Sequence, residues 1–165
     1  MAQQENITLE QAITNIPAQS HHCIQTLHNH AVQSGFTPFG TQSGKKSDYY
    51  KIEYKKSKKD TPLYIFTAKG QRWDLKCKFF HLDQYQALLH ELSDRALGDF
   101  LESRECRGEA NGCTVGVKFN VDGKGYNLCR HGIYFRKLVS EDTTDVWRLM
   151  EAEIAQREKS EKVSE

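Results

Sequence analysis

From Tyr49 onward the apolar positions of this chain fall into a period of two. Tyr50, Ile52 and Tyr54 share one face, and Tyr49, Lys51, Glu53 and Lys55 share the other, which predicts a half-buried strand. The polar run KKSKKDTP reads as a loop, and the residues from Leu63 to Thr67 as a second strand that ends in a tight turn at Lys69-Gly70. In a third strand Trp73, Leu75, Cys77 and Phe79 fall inward while Arg72, Asp74, Lys76 and Lys78 fall outward. Three strands of this kind predict an antiparallel sheet with one face in the core and a mainly cationic face in solvent.

Helical periods flank and interrupt this sheet. Thr8-x-x-Gln11 has the form of a capping box, ahead of an apolar stripe of Leu9, Ala12, Ile13 and Ile16 that Pro17 interrupts. A second helix over about 18–34 would bury Cys23, Ile24, Leu27 and Ala31 and stop at Gly35. Tyr85, Leu88, Leu89 and Leu92 predict a further helix, with Ser93-Asp94 able to cap a short continuation through Ala96, Phe100 and Leu101.

After the charged, glycine-containing loop ESRECRGEANG, strict alternation of Cys113, Val115, Val117, Phe119 and Val121 leads into Asp122-Gly123. That dipeptide suits a type I′ turn, so a hairpin returning near Tyr126 is expected. Ile133 to Leu138 reads as its continuation or as a third strand. Ser140 is placed to cap a last helix whose buried face is Val146, Leu149, Met150 and Ile154. The fold class is therefore α+β, an antiparallel sheet packed on helices in the order α-βββ-α-ββ(β)-α. It is read as one domain over 1–157 with a disordered polar tail over 158–165. Residues 49–92 and 113–154 share a strand-strand-strand-helix plan, for which independent hairpins are a simpler account than duplication.

Composition agrees with a folded domain: 165 residues, 38% hydrophobic and 27% charged, enough to bury roughly 70% of the unfolded surface without a metal or disulfide. The N-terminal residues lack a basic segment followed by an apolar run, so no secretory leader is expected, and no stretch nears the ~18 apolar residues of a membrane helix. Five cysteines without an export signal imply reduced thiols and a cytoplasmic location.

Several constellations carry residue types capable of chemistry. Cys106, Cys113, Cys129 and His131 supply three sulfurs and an imidazole, a possible tetrahedral zinc set, but there is no CxxC knuckle. A two-residue Asp122-Gly123 turn pairs Val121 with Lys124 and sets Cys129 opposite Gly116, so Cys113 and Cys129 would lie on opposite faces. No metal or cofactor is therefore expected. No two histidines stand at the helical i,i+4 spacing, Cys129 and His131 lack a third orienting group, and Walker, GxGxxG, GxSxG and HExxH motifs are all missing. This favours a non-catalytic binding or regulatory domain. A catalytic or small-molecule site assembled from dispersed residues remains the third alternative.

Charge distribution points to the partner. Net charge is +1 overall, yet it is −2 over residues 1–44, +7 over 45–80, zero over 81–140 and −4 over 141–165. The basic segment interleaves ten lysines and Arg72 with eight of the seventeen aromatic residues. Lys51, Lys55, Lys56, Lys58, Lys59, Arg72, Lys76 and Lys78 form the expected polyanion surface, with Tyr49, Tyr64 or Phe66 available for stacking if they face outward. Nucleic acid is the first expected partner and an acidic protein surface, gripped by an adaptor or inhibitor, the alternative. No membrane partner is expected.

Overall fold

The computed structural model describes residues 6–43, 48–106 and 116–165. Lys45, Lys46 and Cys113 lie outside them, so of the set Cys106, Cys113, Cys129 and His131 the second member is not described. The chain begins with α1 (Leu9–Ile13) and α2 (Ala18–Gln33), then runs through four strands, β1 (Thr37–Gln42), β2 (Tyr49–Lys55), β3 (Tyr64–Lys69) and β4 (Arg72–Cys77). Helix α3 (Asp94–Leu101) precedes the hairpin β5 (Val117–Val121) and β6 (Lys124–Leu128), then β7 (Ile133–Phe135) and α4 (Thr143–Val163). The architecture is α+β: an antiparallel five-stranded sheet in the order β1-β2-β3-β4-β7, a separate two-stranded β5-β6 sheet, and helices packed against them.

Local chemistry accounts for most boundaries. Thr8 Oγ1 accepts from the Gln11 amide while Gln11 Oε1 accepts from the Thr8 amide, the reciprocal cap expected for α1. Ser93 Oγ accepts from the Ala96 amide and starts α3. Asp122 and Gly123 both adopt positive φ, 50° and 79°, and Val121 pairs with Lys124, which is the register expected for a type I′ hairpin.

Four elements depart from the sequence expectation. Strand β1, TPFGTQ, was not anticipated, because Pro38 and Gly40 weaken strand propensity; at a sheet edge a proline is tolerated. Gly40 is required there, since a Cβ would stand 2.1 Å from the Ile7 carbonyl oxygen, whose chain segment runs across β1. The helix expected over 85–92 is instead two 3₁₀ turns, Leu82–Gln84 and Gln86–Glu91, separated by Tyr85 at φ −136° and ψ 24°. Strand β7 does not extend the β5-β6 hairpin; it pairs with β4, so the two similar stretches of sequence build unlike substructures. Helix α4 continues through Val163, where polar composition suggested a tail; its Gln, Arg, Glu and Lys residues are good helix formers even where exposed. Ser140 begins a 3₁₀ turn ahead of α4.

One face of the large sheet closes the core. Ile52 and Tyr54 of β2, Tyr64, Phe66 and Ala68 of β3, Leu75 and Cys77 of β4, and Ile133 and Phe135 of β7 are all buried against helical residues such as Ile24, Leu27, Leu149 and Met150. Tyr64 and Phe66 are thus core residues and are not available for stacking on a ligand. The opposite face carries the alternating positions of the same strands. Among the described residues no helix is long and apolar enough to cross a membrane.

Candidate nucleic-acid interface on the open sheet face

Register fixes which side chains are neighbours on that second face. One row runs Phe39, Glu53, Ile65, Lys76, Tyr134 from β1 to β7. The next runs Thr41, Lys51, Thr67, Asp74, and near the β3–β4 turn Tyr49, Lys69 and Arg72 share a third. Because side chains two apart on a strand are separated by about 6.7 Å, Arg72, Asp74 and Lys76 form an evenly spaced column along β4.

The expected site residues divide into two groups. Lys51, Lys55, Arg72, Lys76 and Lys78 belong to or continue the open face. Lys56 does not: its ammonium lies 3.6 Å from Glu158 of α4 and 5.8 Å from the Phe36 ring centroid. Lys58 and Lys59 are exposed in the loop that follows β2.

Within the first group the charge is unevenly available. Glu53 accepts both Lys51 Nζ at 3.2 Å and Lys55 Nζ at 3.1 Å. Partial burial alone would raise its carboxyl pKa, but the hydrogen bonds and charges of Lys55 and Lys51 outweigh that and hold it below the ordinary value. The β2 side of the face is therefore largely self-neutralised.

The β4–β7 side is different. Lys76 Nζ lies 5.9 Å and Arg136 Cζ 4.7 Å from the centroid of Tyr134. Past the far end of β4, Arg130 Cζ lies 5.8 Å from the centroid of Phe80, against which His131 packs edge-on at 5.3 Å. Burial first, and then the charges of Lys78, Arg130 and Lys76, lower the His131 pKa below its ordinary value. Burial, helped by Lys76, likewise lowers that of Lys78. Arg130 adds a buried Nε without a hydrogen-bond partner.

Arg130, Tyr134, Arg136 and Lys137 were missed by the sequence reading, and His131 entered it only as a candidate metal ligand or base. Their signal is present, since Arg130-His131 and Arg136-Lys137 bracket the short apolar strand of β7. What the sequence withheld was that β7 pairs with β4, which brings Arg136 onto the Tyr134 ring that Lys76 also approaches, while Lys137 Nζ lies 3.8 Å from Glu102.

The outer edge of β7 and the residues after it are held by α3 and the turn that follows it. Ser103 Oγ accepts from the Tyr134 amide at 2.9 Å, and buried Asp99 accepts from the amides of Arg136 and Lys137, the latter at 2.8 Å. These bonds satisfy an edge that would otherwise be open. They also fix the backbone from which the two basic side chains project.

A second polar cluster lies beneath α4. Glu153, fully buried, accepts from the His81 amide at 3.1 Å, His81 Nδ1 at 3.1 Å, Tyr85 Oη at 2.7 Å and Arg157 Nε at 3.0 Å. The remaining Arg157 nitrogens donate to the carbonyls of Thr61, Pro62 and Lys78. Ser160 Oγ lies 3.4 Å from His81 Nε2 beside a 330 Å³ cavity, but it also donates to the Gln156 carbonyl at 3.0 Å. With its donors directed inward at Glu153 and at strand-end carbonyls, this cluster serves to anchor α4.

Among the described residues no three His, Cys, Asp or Glu side chains converge as a metal site. Cys23 and Cys77 are buried free thiols, and burial raises both pKa values. The chain matches no family model, and comparison with curated proteins and with solved structures gives no match.

Proposed function

We propose that this chain binds single-stranded nucleic acid along the open face of its large sheet, gripping the phosphate backbone with a lane of cations from Arg72 to Lys78 and Arg130. The carrying observation is the β4–β7 lane, in which Lys76 and Arg136 lie on Tyr134 and, further along, Arg130 and His131 pack on the Phe80 ring. Asp74 is the acid in the β4 column, and it is engaged by Thr67 Oγ1 at 2.7 Å. Side chains about 6.7 Å apart along a strand suit an extended, regularly charged polymer, and the half-buried ring of Tyr49 suits an unpaired base.

Lys51 and Lys55 contribute less, because binding phosphate there means displacing Glu53. Lys58 and Lys59 extend the electrostatic field from the loop. Of the expected polyanion surface, the strand residues Arg72, Lys76 and Lys78 therefore weigh more than the loop lysines, and Arg130 and Arg136 join them. Reduced thiols suit a cytoplasmic setting for this role.

Binding of a labelled unstructured oligonucleotide, followed by fluorescence anisotropy, tests the reading. With four phosphates neutralised, the slope of log affinity against log salt is expected near about −3, a loss of roughly 60-fold between about 50 and about 200 mM salt. A dissociation constant weaker than about 100 µM at low salt, the edge of the usual non-specific range, would overturn it. Retention of an acidic protein in its place would support the adaptor alternative.

A further inference from the structure

The open face is not uniformly flat. At its β3–β4 turn end a groove of about 560 Å³ is lined by Tyr49, Thr67, Lys69, Arg72, Asp74 and Arg136, a volume within the range of small-ligand sites. Its polar and aromatic groups are differentiated. Asp74 accepts from Thr67 Oγ1 through one oxygen, and a carboxylate retains acceptor capacity on the other. Arg136 is set in place through the Asp99 bond to its own amide. Lys137, which also lines the groove, has its amide on the same carboxylate. Gln71 and Trp73 complete the polar and aromatic lining, so the shared volume is bordered by one carboxylate, the rings of Tyr49 and Trp73, and several cations.

We infer that this groove holds one unpaired nucleotide whose base carries an exocyclic amino group, with the amine donating to Asp74, the ring stacked on Tyr49 and the adjoining phosphate on Arg72 and Arg136. This rests on the single-strand reading above and deepens it. A phosphate-only surface has no use for a carboxylate at its centre, since Asp74 repels the backbone. A base with N–H donors on its pairing edge turns that acid into a selectivity element, as Asp and Glu accept from the amine of cytosine. Thymine presents a carbonyl at the same position and would face the carboxylate acceptor to acceptor. Base stacking on an aromatic side chain is indifferent to this distinction, so selectivity and affinity come from separate residues.

The experiment compares labelled oligo(dC) and oligo(dT) of equal length at one salt concentration, with heparin as a base-free polyanion. Wild-type protein is expected to bind oligo(dC) roughly five- to tenfold more tightly, the effect of one good hydrogen bond gained and one repulsion avoided. Asp74→Asn keeps the side-chain shape and presents a donor, so the ratio should collapse to within about twofold, chiefly through tighter oligo(dT) binding. Tyr49→Ala should weaken both oligonucleotides by a similar factor and leave heparin unchanged. Thermal unfolding of each variant, matched to wild type, excludes misfolding as the cause.

Equal wild-type affinity for oligo(dC) and oligo(dT), or a preference that survives Asp74→Asn, overturns the nucleotide inference while leaving the phosphate reading standing. Failure to bind either oligonucleotide or heparin overturns both.

Discussion

Glu153 shows how strongly one residue can depend on its surroundings. A carboxylate with no solvent exposure is tolerable only because the His81 amide and imidazole, the Tyr85 hydroxyl and the Arg157 guanidinium all donate to it. Glu153→Ala leaves those donors unpaired and a cationic Arg157 without its partner. A loss of about 3–5 kcal/mol is expected from urea unfolding, whereas removing the exposed Lys56–Glu158 pair by Glu158→Gln should cost under about 1 kcal/mol.

Asp142 supplies a pH-dependent contribution. Its burial would raise the carboxyl pKa, but hydrogen bonds from Ser93 Oγ at 2.6 Å, the Val139 amide at 3.0 Å and Arg95 Nε at 3.2 Å prevail and lower it. For a depressed folded pKa, the stabilisation is present above the unfolded value of about 3.9 and disappears as pH falls through the folded one. The stability difference between wild type and Asp142→Asn should accordingly be largest near neutrality and shrink below about pH 4, as read by denaturant unfolding at several pH values. His131 is informative in the other direction: burial first and then neighbouring cations depress its pKa, so a bound phosphate that offsets those cations should raise it in an NMR titration, and an unchanged value in the saturated complex would place the ligand elsewhere.

Among the elements, β7 has the largest effect on the interface for its size. Three residues pair with β4; Ser103, just beyond α3, accepts from the Tyr134 amide, and Asp99 of α3 accepts from the amides of Arg136 and Lys137 that follow the strand. Asp99→Ala is expected to cost about 2–3 kcal/mol through unpaired amides and to weaken oligonucleotide binding by loosening Arg136 and Lys137; unchanged affinity in a folded variant would remove Asp99 from the positioning of the lane. Legibility from sequence varied in the same way from element to element. The β5–β6 hairpin was readable because alternation and an Asp-Gly turn specify both its strands and its register. Strand β1 was not, since Pro38 and Gly40 make sense only at an edge crossed by the Ile7 segment. For β7 the strand was readable and its partner was not: alternation assigns a face, while Ile133 and Phe135 would suit a hairpin or the main sheet equally well. The lysines of β2 and β4 were therefore found from sequence, whereas Arg130, Tyr134 and Arg136 depended on long-range pairing.

At the scale of the whole molecule, the segregation of charge along the chain becomes a segregation between layers. The residues of net charge +7 include the open-face strands, and the terminal stretch of net charge −4 includes α4 in the helical layer. A partner bearing phosphates is attracted to the former and repelled by the latter, so association should be fastest at low ionic strength. Near-neutral total charge conceals this arrangement. The measurement that bears most directly on it is oligonucleotide affinity for two double variants at one low salt concentration. Lys76→Glu with Arg136→Glu reverses the β4–β7 lane, and Lys58→Glu with Lys59→Glu reverses the same amount of charge in the loop. The account predicts a loss of at least about 100-fold for the lane variant and less than about tenfold for the loop variant; equal losses, or a larger loss from the loop, would contradict a binding lane on the open face.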